Sequence, residues 1–89
     1  MRTSPPSSGN VGAIVTSSAV LLLSPQLMTL LLLIAEGYQH REIAKEMGIS
    51  LMTVPNMTEQ LRLIFGARNN AQLVALAYHE GVLKPRVTA

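Results

Sequence analysis

Cysteine, tryptophan and aspartate are absent from the 89 residues, and aromatic residues make up only 3% of the chain. Without cysteine there is neither a disulfide framework nor a thiolate metal site, and a reducing cytoplasm is the default compartment. Without aspartate, the two histidines, His40 and His79, lie far apart with no such carboxylate to orient them. No metal, cofactor or catalytic role is expected of them, since no nucleophile, base and orienting group assemble from these residues. The scarcity of rings leaves a hydrophobic content of 48% to leucine, isoleucine, valine, alanine and methionine, which is helix chemistry. The length allows one domain at most, with a small core and no large cleft. Seven Lys and Arg against five Glu give a net charge of +2. That is a weak basic bias, less than a strong nucleic-acid binder usually carries.

Charge is also missing from Val11 to Ala35, where the run AVLLLSPQLMTLLLLIA invites a membrane or secretory reading. A span needs about 20 consecutive apolar residues. Ser24, Pro25, Gln26 and Thr29 interrupt this run near its middle, and the polar tract TSPPSSGN separates Arg2 from the apolar stretch where a signal peptide places its basic residues. A soluble protein with no membrane partner is therefore expected, and a small membrane-associated protein stays as the third reading. The same residues parse well as a helix start, with Ser24 as N-cap and Pro25 first in the helix, because proline has no N–H to lose there. Gly37 ends that helix. It is apolar on nearly every side from Leu27 to Ala35, so something must cover its outer face. The candidates are a second copy, another partner, or the chain's own residues 11–23.

Residues 42–57, EIAKEMGISLMTVPNM, are the most telling stretch. Ile43, Ala44 and Met47 form one apolar stripe at helical spacing, Gly48 stops the helix, and Ile49, Val54 and Met57 begin the next stripe. Two short helices must cross closely there, with Ala44 small at the crossing and Gly48 free to take positive φ in the turn. This is the pattern of a helix-turn-helix, a motif that usually meets DNA, although an ordinary helical hairpin would share it.

Around this motif, residues 1–10 read as a disordered lead; residues 11–23 are open to a β-strand or short hairpin, or to an extension docked on a helix, and an extended segment packing on the first helix is the favoured reading. Helices are expected at about 25–36, 40–47, 51–65 and 70–80. Asn69 and Gln72 have capping-box spacing at the last of these, Gly81 ends it, and Pro85 blocks its continuation. Pro55 inside the third helix removes one hydrogen bond and costs about 3 kcal/mol at an interior site. The helix is therefore expected to begin irregularly, or to restart at Pro55 with Thr53 near its cap.

From Leu23 to Leu83 the order of residues resembles the LuxR-type (GerE-like) helix-turn-helix family of bacterial transcription regulators. LSP opens the first helix, LIAEGYQHREIAKEMGIS runs through the motif, TV begins the recognition helix, and FGARNNAQLVALAYHEGVL forms its end and the fourth helix. The resemblance implies an all-α, four-helix DNA-binding domain over 23–84, with an N-terminal extension over 1–22 and a C-terminal tail over 85–89. It also implies dimerisation through the fourth helix, here Leu73, Val74, Leu76, Ala77 and Tyr78. The family's usual preceding regulatory domain is not expected in the 22 residues before it.

The family's contact positions carry over unevenly. Pro55 stands where the residue after TV is usually basic, and Glu59 where another basic contact is frequent. Met57 replaces a customary His, Ile64 a frequent Lys, Leu27 and Thr29 common glutamates, and Asn70 an Arg. On the reading face Asn56 suits adenine and Glu59 suits cytosine N4, with Gln60 alongside and nothing placed for guanine. Phosphates fall to Arg41, Lys45, Arg62 and Arg68, helped by Thr53 and the helix N-terminus.

The expected function is thus a non-enzymatic, cytoplasmic, DNA-binding transcriptional regulator, working as a homodimer on double-stranded DNA without a cofactor. The alternative is a helix-turn-helix scaffold adapted to bind protein, an adaptor or inhibitor of a regulator or polymerase. Leu51, Met52, Pro55 and Glu59 motivate it, and Leu51, Met52 and Met57 are candidates for a soft apolar patch.

Overall fold

Ser24 takes extended backbone angles (φ −76°, ψ 162°) and its Oγ accepts the Leu27 N–H at 3.1 Å, so α2 (Pro25–Ala35) starts on a side-chain cap with Pro25 first. The structure, a computed structural model, describes residues 18–85. A single helical turn, α1 (Ser18–Leu21), precedes α2; α3 (His40–Met47), α4 (Thr53–Phe65) and α5 (Asn70–His79) follow. Four full helices and no strand among the described residues make the domain all-α.

The extended segment expected at 11–23 is corrected where it is described. Residues 18–21 are helical, closed by the Leu22 N–H donating to the Ala19 carbonyl at 3.0 Å. The segment SAVL holds alanine and leucine, two strong helix formers, and Ala19 is only 4% exposed. The lead over 1–10 and most of the proposed segment lie outside the described residues.

Helix α2 packs against α3, α4 and α5, α3 against α4, and α4 against α5. Leu30 and Leu31 of α2, Ile43 of α3, Val54 and Leu61 of α4, and Leu73 and Ala77 of α5 are fully buried where these helices meet. Burying each large side chain contributes about 1.5–3 kcal/mol relative to leaving it in water. The neighbours of α2 bury Leu27, Leu30 and Leu31 and half-cover Met28, Leu33, Ile34 and Ala35, leaving Leu32 as its one exposed large apolar side chain. After α5 the chain turns back at Gly81, the Val82 and Leu83 amides both donate to the Ala77 carbonyl, and Leu83 enters the core at 4% exposure. No described helix is long and apolar enough to cross a membrane.

Candidate nucleic-acid interface

The corner between α3 and α4 is built from backbone hydrogen bonds that only a left-handed residue allows. Gly48 sits at φ 67°, and with it the Ile49 N–H reaches the Ala44 carbonyl at 3.0 Å and the Gly48 N–H reaches the Lys45 carbonyl. Two of the orphan carbonyls at the end of α3, those of Ala44 and Lys45, are thereby satisfied. Ala44 is buried at 7% exposure, which keeps the crossing tight. At the other end of α3 the Glu42 carboxylate accepts the Gln39 N–H at 2.8 Å. Glu42 is thus part of the helix start rather than merely one of a solvated set of charges. The Gln39–Glu42 spacing was open to a capping-box reading that the sequence argument did not make.

Entry into α4 removes the difficulty of Pro55. The Ser50 carbonyl accepts the Thr53 N–H at 3.0 Å, the Ser50 Oγ accepts the Met52 N–H at 3.2 Å, and the Leu51 carbonyl accepts the Val54 N–H at 3.3 Å. Pro55 is therefore the third helical residue, in the first turn, where no intrahelical bond is due to its nitrogen. The helix neither restarts nor bears the interior penalty. Thr53 is the first helical residue, beside an N-cap, Met52, that makes no side-chain cap, and the Ser50 Oγ closes the turn that precedes it.

Helix α4 then divides lengthwise. Val54, Met57, Thr58, Leu61 and Phe65 are buried, and the Thr58 Oγ1 donates to the Val54 carbonyl at 2.8 Å, so its hydroxyl is satisfied inside the core. Asn56, Glu59 and Gln60 are exposed as expected, Thr53 is half-buried, and Leu63, unremarked in the sequence, is 72% exposed. Met57 is drawn inward at 9% exposure and leaves the apolar patch, whereas Leu51 (49%) and Met52 (81%) remain at the surface with Pro55. These three line a shallow groove of about 420 Å³ together with Gln39, His40 and Arg41 from the start of α3.

Four cations were assigned to phosphates, and the structure separates them. Arg41 and Lys45 are exposed one turn apart on α3, on the same face of that helix, and Arg41 borders the tip of α4. Arg68 is exposed in the α4–α5 connection, its backbone N–H donating to Gln72 Oε1 at 2.7 Å. None of these three side chains forms an ion pair among the described residues. Arg62 differs. Its Nη2 is engaged by Glu59 Oε1 and its Nη1 donates to Asn70 Oδ1 at 3.0 Å, so its guanidinium ties α4 to the first residue of α5.

Glu59 is correspondingly committed to Arg62, and Asn70 holds the pair from the other helix. Sequence spacing alone exposes the Glu59–Arg62 half of this arrangement, which lies at i, i+3. The Asn70 half depends on how α5 is placed.

Residues 21–77 match the family model GerE, described as bacterial regulatory proteins, luxR family. The chain belongs to that family. No curated protein matches it in sequence. The matched residues run from the end of α1 through most of α5, and α3 and α4 are the two helices of the LuxR-type helix-turn-helix. The LuxR family is one of DNA-binding transcription regulators, which makes the exposed side of α4 and the α3 cations the surface to consider for nucleic acid.

On α5 the LuxR-type domain is started by Asn69, whose Oδ1 accepts the Gln72 N–H at 2.8 Å, while the Gln72 side chain turns to Arg68 instead of returning to Asn69. The cap is present and its expected reciprocity is not. Leu73 and Ala77 are fully buried within the protomer, so they are unavailable to a second subunit. The side of α5 that faces solvent carries Ala71, Ala75 and Tyr78, with Val74 and Leu76 half-buried.

Proposed function

We propose that this LuxR-family protein regulates transcription in the cytoplasm as a homodimer on double-stranded DNA. Helix α4 enters the major groove and presents Asn56 and Gln60 to base edges, with Glu59 beside them held by Arg62. Arg41, Lys45 and Arg68 neutralise phosphates, and Thr53 with the first turn of α4 positions the helix on the backbone. The observation that carries this reading is the juxtaposition of Arg41, unpaired and exposed, with the exposed N-terminal tip of α4 across a shared groove. A phosphate at that edge would seat the helix. Subunits pair through the solvent side of α5, around Val74, Ala75 and Tyr78, with Leu76 at its margin. Arg62 is left out of the contact set because Glu59 and Asn70 already hold it.

The test is a salt titration of duplex binding. Two subunits with three phosphate contacts each give a slope of log affinity against log salt of about −5. A flat salt response would mean that phosphates are not contacted, and the proposal would fail. A mass measurement in solution at the same concentrations checks the dimer.

A further inference from the structure

We infer that the tip of α4 reads the C5-methyl groups of thymine in the major groove, next to an adenine held by Asn56, so that preferred sites are A·T-rich where α4 enters. This rests on the proposal that the protein binds duplex DNA. Its motive is a mismatch between the surface and ordinary guanine readout. Bidentate contact to guanine O6 and N7 needs an Arg or Lys on the reading helix. Arg62 is the one cation in α4, and both of its terminal nitrogens are occupied by Glu59 and Asn70. Glu59, the candidate for cytosine N4, is committed to that same pair. The unoccupied readers are Asn56 and Gln60, whose amides match adenine N6 and N7, and a cluster of apolar groups.

Those apolar groups sit where a groove-entering helix first meets bases. Met52 is the most exposed of the large apolar side chains described, at 81%, and Leu51 is at 49%, with Pro55 one turn along. The thymine methyl is the apolar feature that separates T·A and A·T from the other pairs in the major groove. Methionine, unbranched and flexible, adapts to such a target. Across the same groove in the protein stands Arg41, a cation at the rim of an apolar patch. That pairing of chemistries mirrors the DNA surface, in which methyl groups lie between rows of phosphates.

The experiment uses the full chain and a pool of duplexes with a random core. Bound sequences are selected, and the best duplex is titrated beside a copy in which deoxyuridine replaces every thymidine, each at several salt concentrations. We expect A·T enrichment, a loss of about fourfold in affinity for each contacted methyl removed, and an unchanged salt slope. Met52→Ala should bring the thymine-to-uracil ratio towards one without lowering the melting temperature. Equal binding of thymine and uracil duplexes with a steep salt slope would overturn the inference while leaving DNA binding intact, and would return the patch to a protein partner. The same ratio in Met52→Ala as in the parent would overturn the assignment to this tip. Salt-independent binding would overturn the DNA proposal itself, and the inference with it.

Discussion

On one side of α4, Val54, Met57, Thr58, Leu61 and Phe65 are buried; half a turn away, Asn56, Glu59, Gln60 and Leu63 lie in solvent. The buried side keeps the apolar spacing that a helix-turn-helix needs, down to a hydroxyl that satisfies itself on the preceding turn. The exposed side carries a carboxylate at Glu59 and its tip a proline where the resemblance leads one to expect cations, and half-buried Ile64 stands where it leads one to expect a lysine. The difference teaches that the constraints of folding and of recognition are separable by about 100–180° around one helix, since the buried side chains belong to the inner stripe and the outer side is tied to a neighbouring helix through the Arg62–Asn70 hydrogen bond. A domain of this size has a net stability of only about 5 kcal/mol. The inner stripe therefore has little latitude, whereas the outer one is free to change its chemistry.

The strongest way to break that contrast is Leu61→Ala. Leu61 is fully buried at the meeting of the helices, and truncation of such a leucine costs about 2–5 kcal/mol. Urea denaturation followed by circular dichroism should show most or all of the cooperative transition lost. A loss below about 1 kcal/mol would mean that the inner stripe is not what holds α4.

Glu59→Lys tests the outer side with a smaller effect. It removes a carboxylate from the reading face, adds a cation and releases Arg62 from its exposed partner. Affinity for duplex DNA should rise about tenfold at low salt, with a visibly steeper salt slope, because extra phosphates are neutralised. Stability should fall by about 0.5 kcal/mol or less, as befits a pair whose side chains are 28% and 56% exposed. Unchanged or weaker DNA binding would place the exposed side of α4 away from the polyanion.

Gly48→Ala probes the corner that joins the two sides. Nothing crowds a Cβ built there, so the cost is conformational alone, about 1 kcal/mol for an L-residue at φ 67°. A shift in the urea midpoint without a change in slope would register it. A much larger loss would point to a contact at Gly48 that the structure does not contain.

How far the sequence reveals this molecule follows from the range of each signal. Helix positions were legible because their signals are local: Ser24 and Pro25, Gly48, Asn69 and the apolar stripes all act within a turn of the residues they govern. The irregular start expected before Pro55 is present as the turn at Ser50 to Met52, and that turn makes Pro55 third in the helix instead of an interior residue. What the sequence hid is what spans two elements. Arg62 looked like any surface cation until α5 brought Asn70 to it, eight residues away. Leu73 and Ala77 share an apolar pattern with Val74 and Tyr78, and only the placement of α2 and α4 decides which of them point inward. Sequence patterning thus locates a stripe well and assigns its outer partner poorly.

The finest contrast lies within leucine itself, between Leu61 and Leu63. Both stand in α4 two residues apart, yet Leu63 is 72% exposed and adds little buried area. Leu63→Ser should change stability by no more than about 0.5 kcal/mol, mostly through the lower helix propensity of serine. It should also leave the salt slope of DNA binding unchanged, because no charge is altered. A truncation of similar size that unfolds the protein at Leu61 should be nearly silent here. A loss above about 1.5 kcal/mol, or a change in solution mass, would show that Leu63 is covered by something in solution, and the outward side of α4 would then be an interface between copies of the chain rather than a free reading surface.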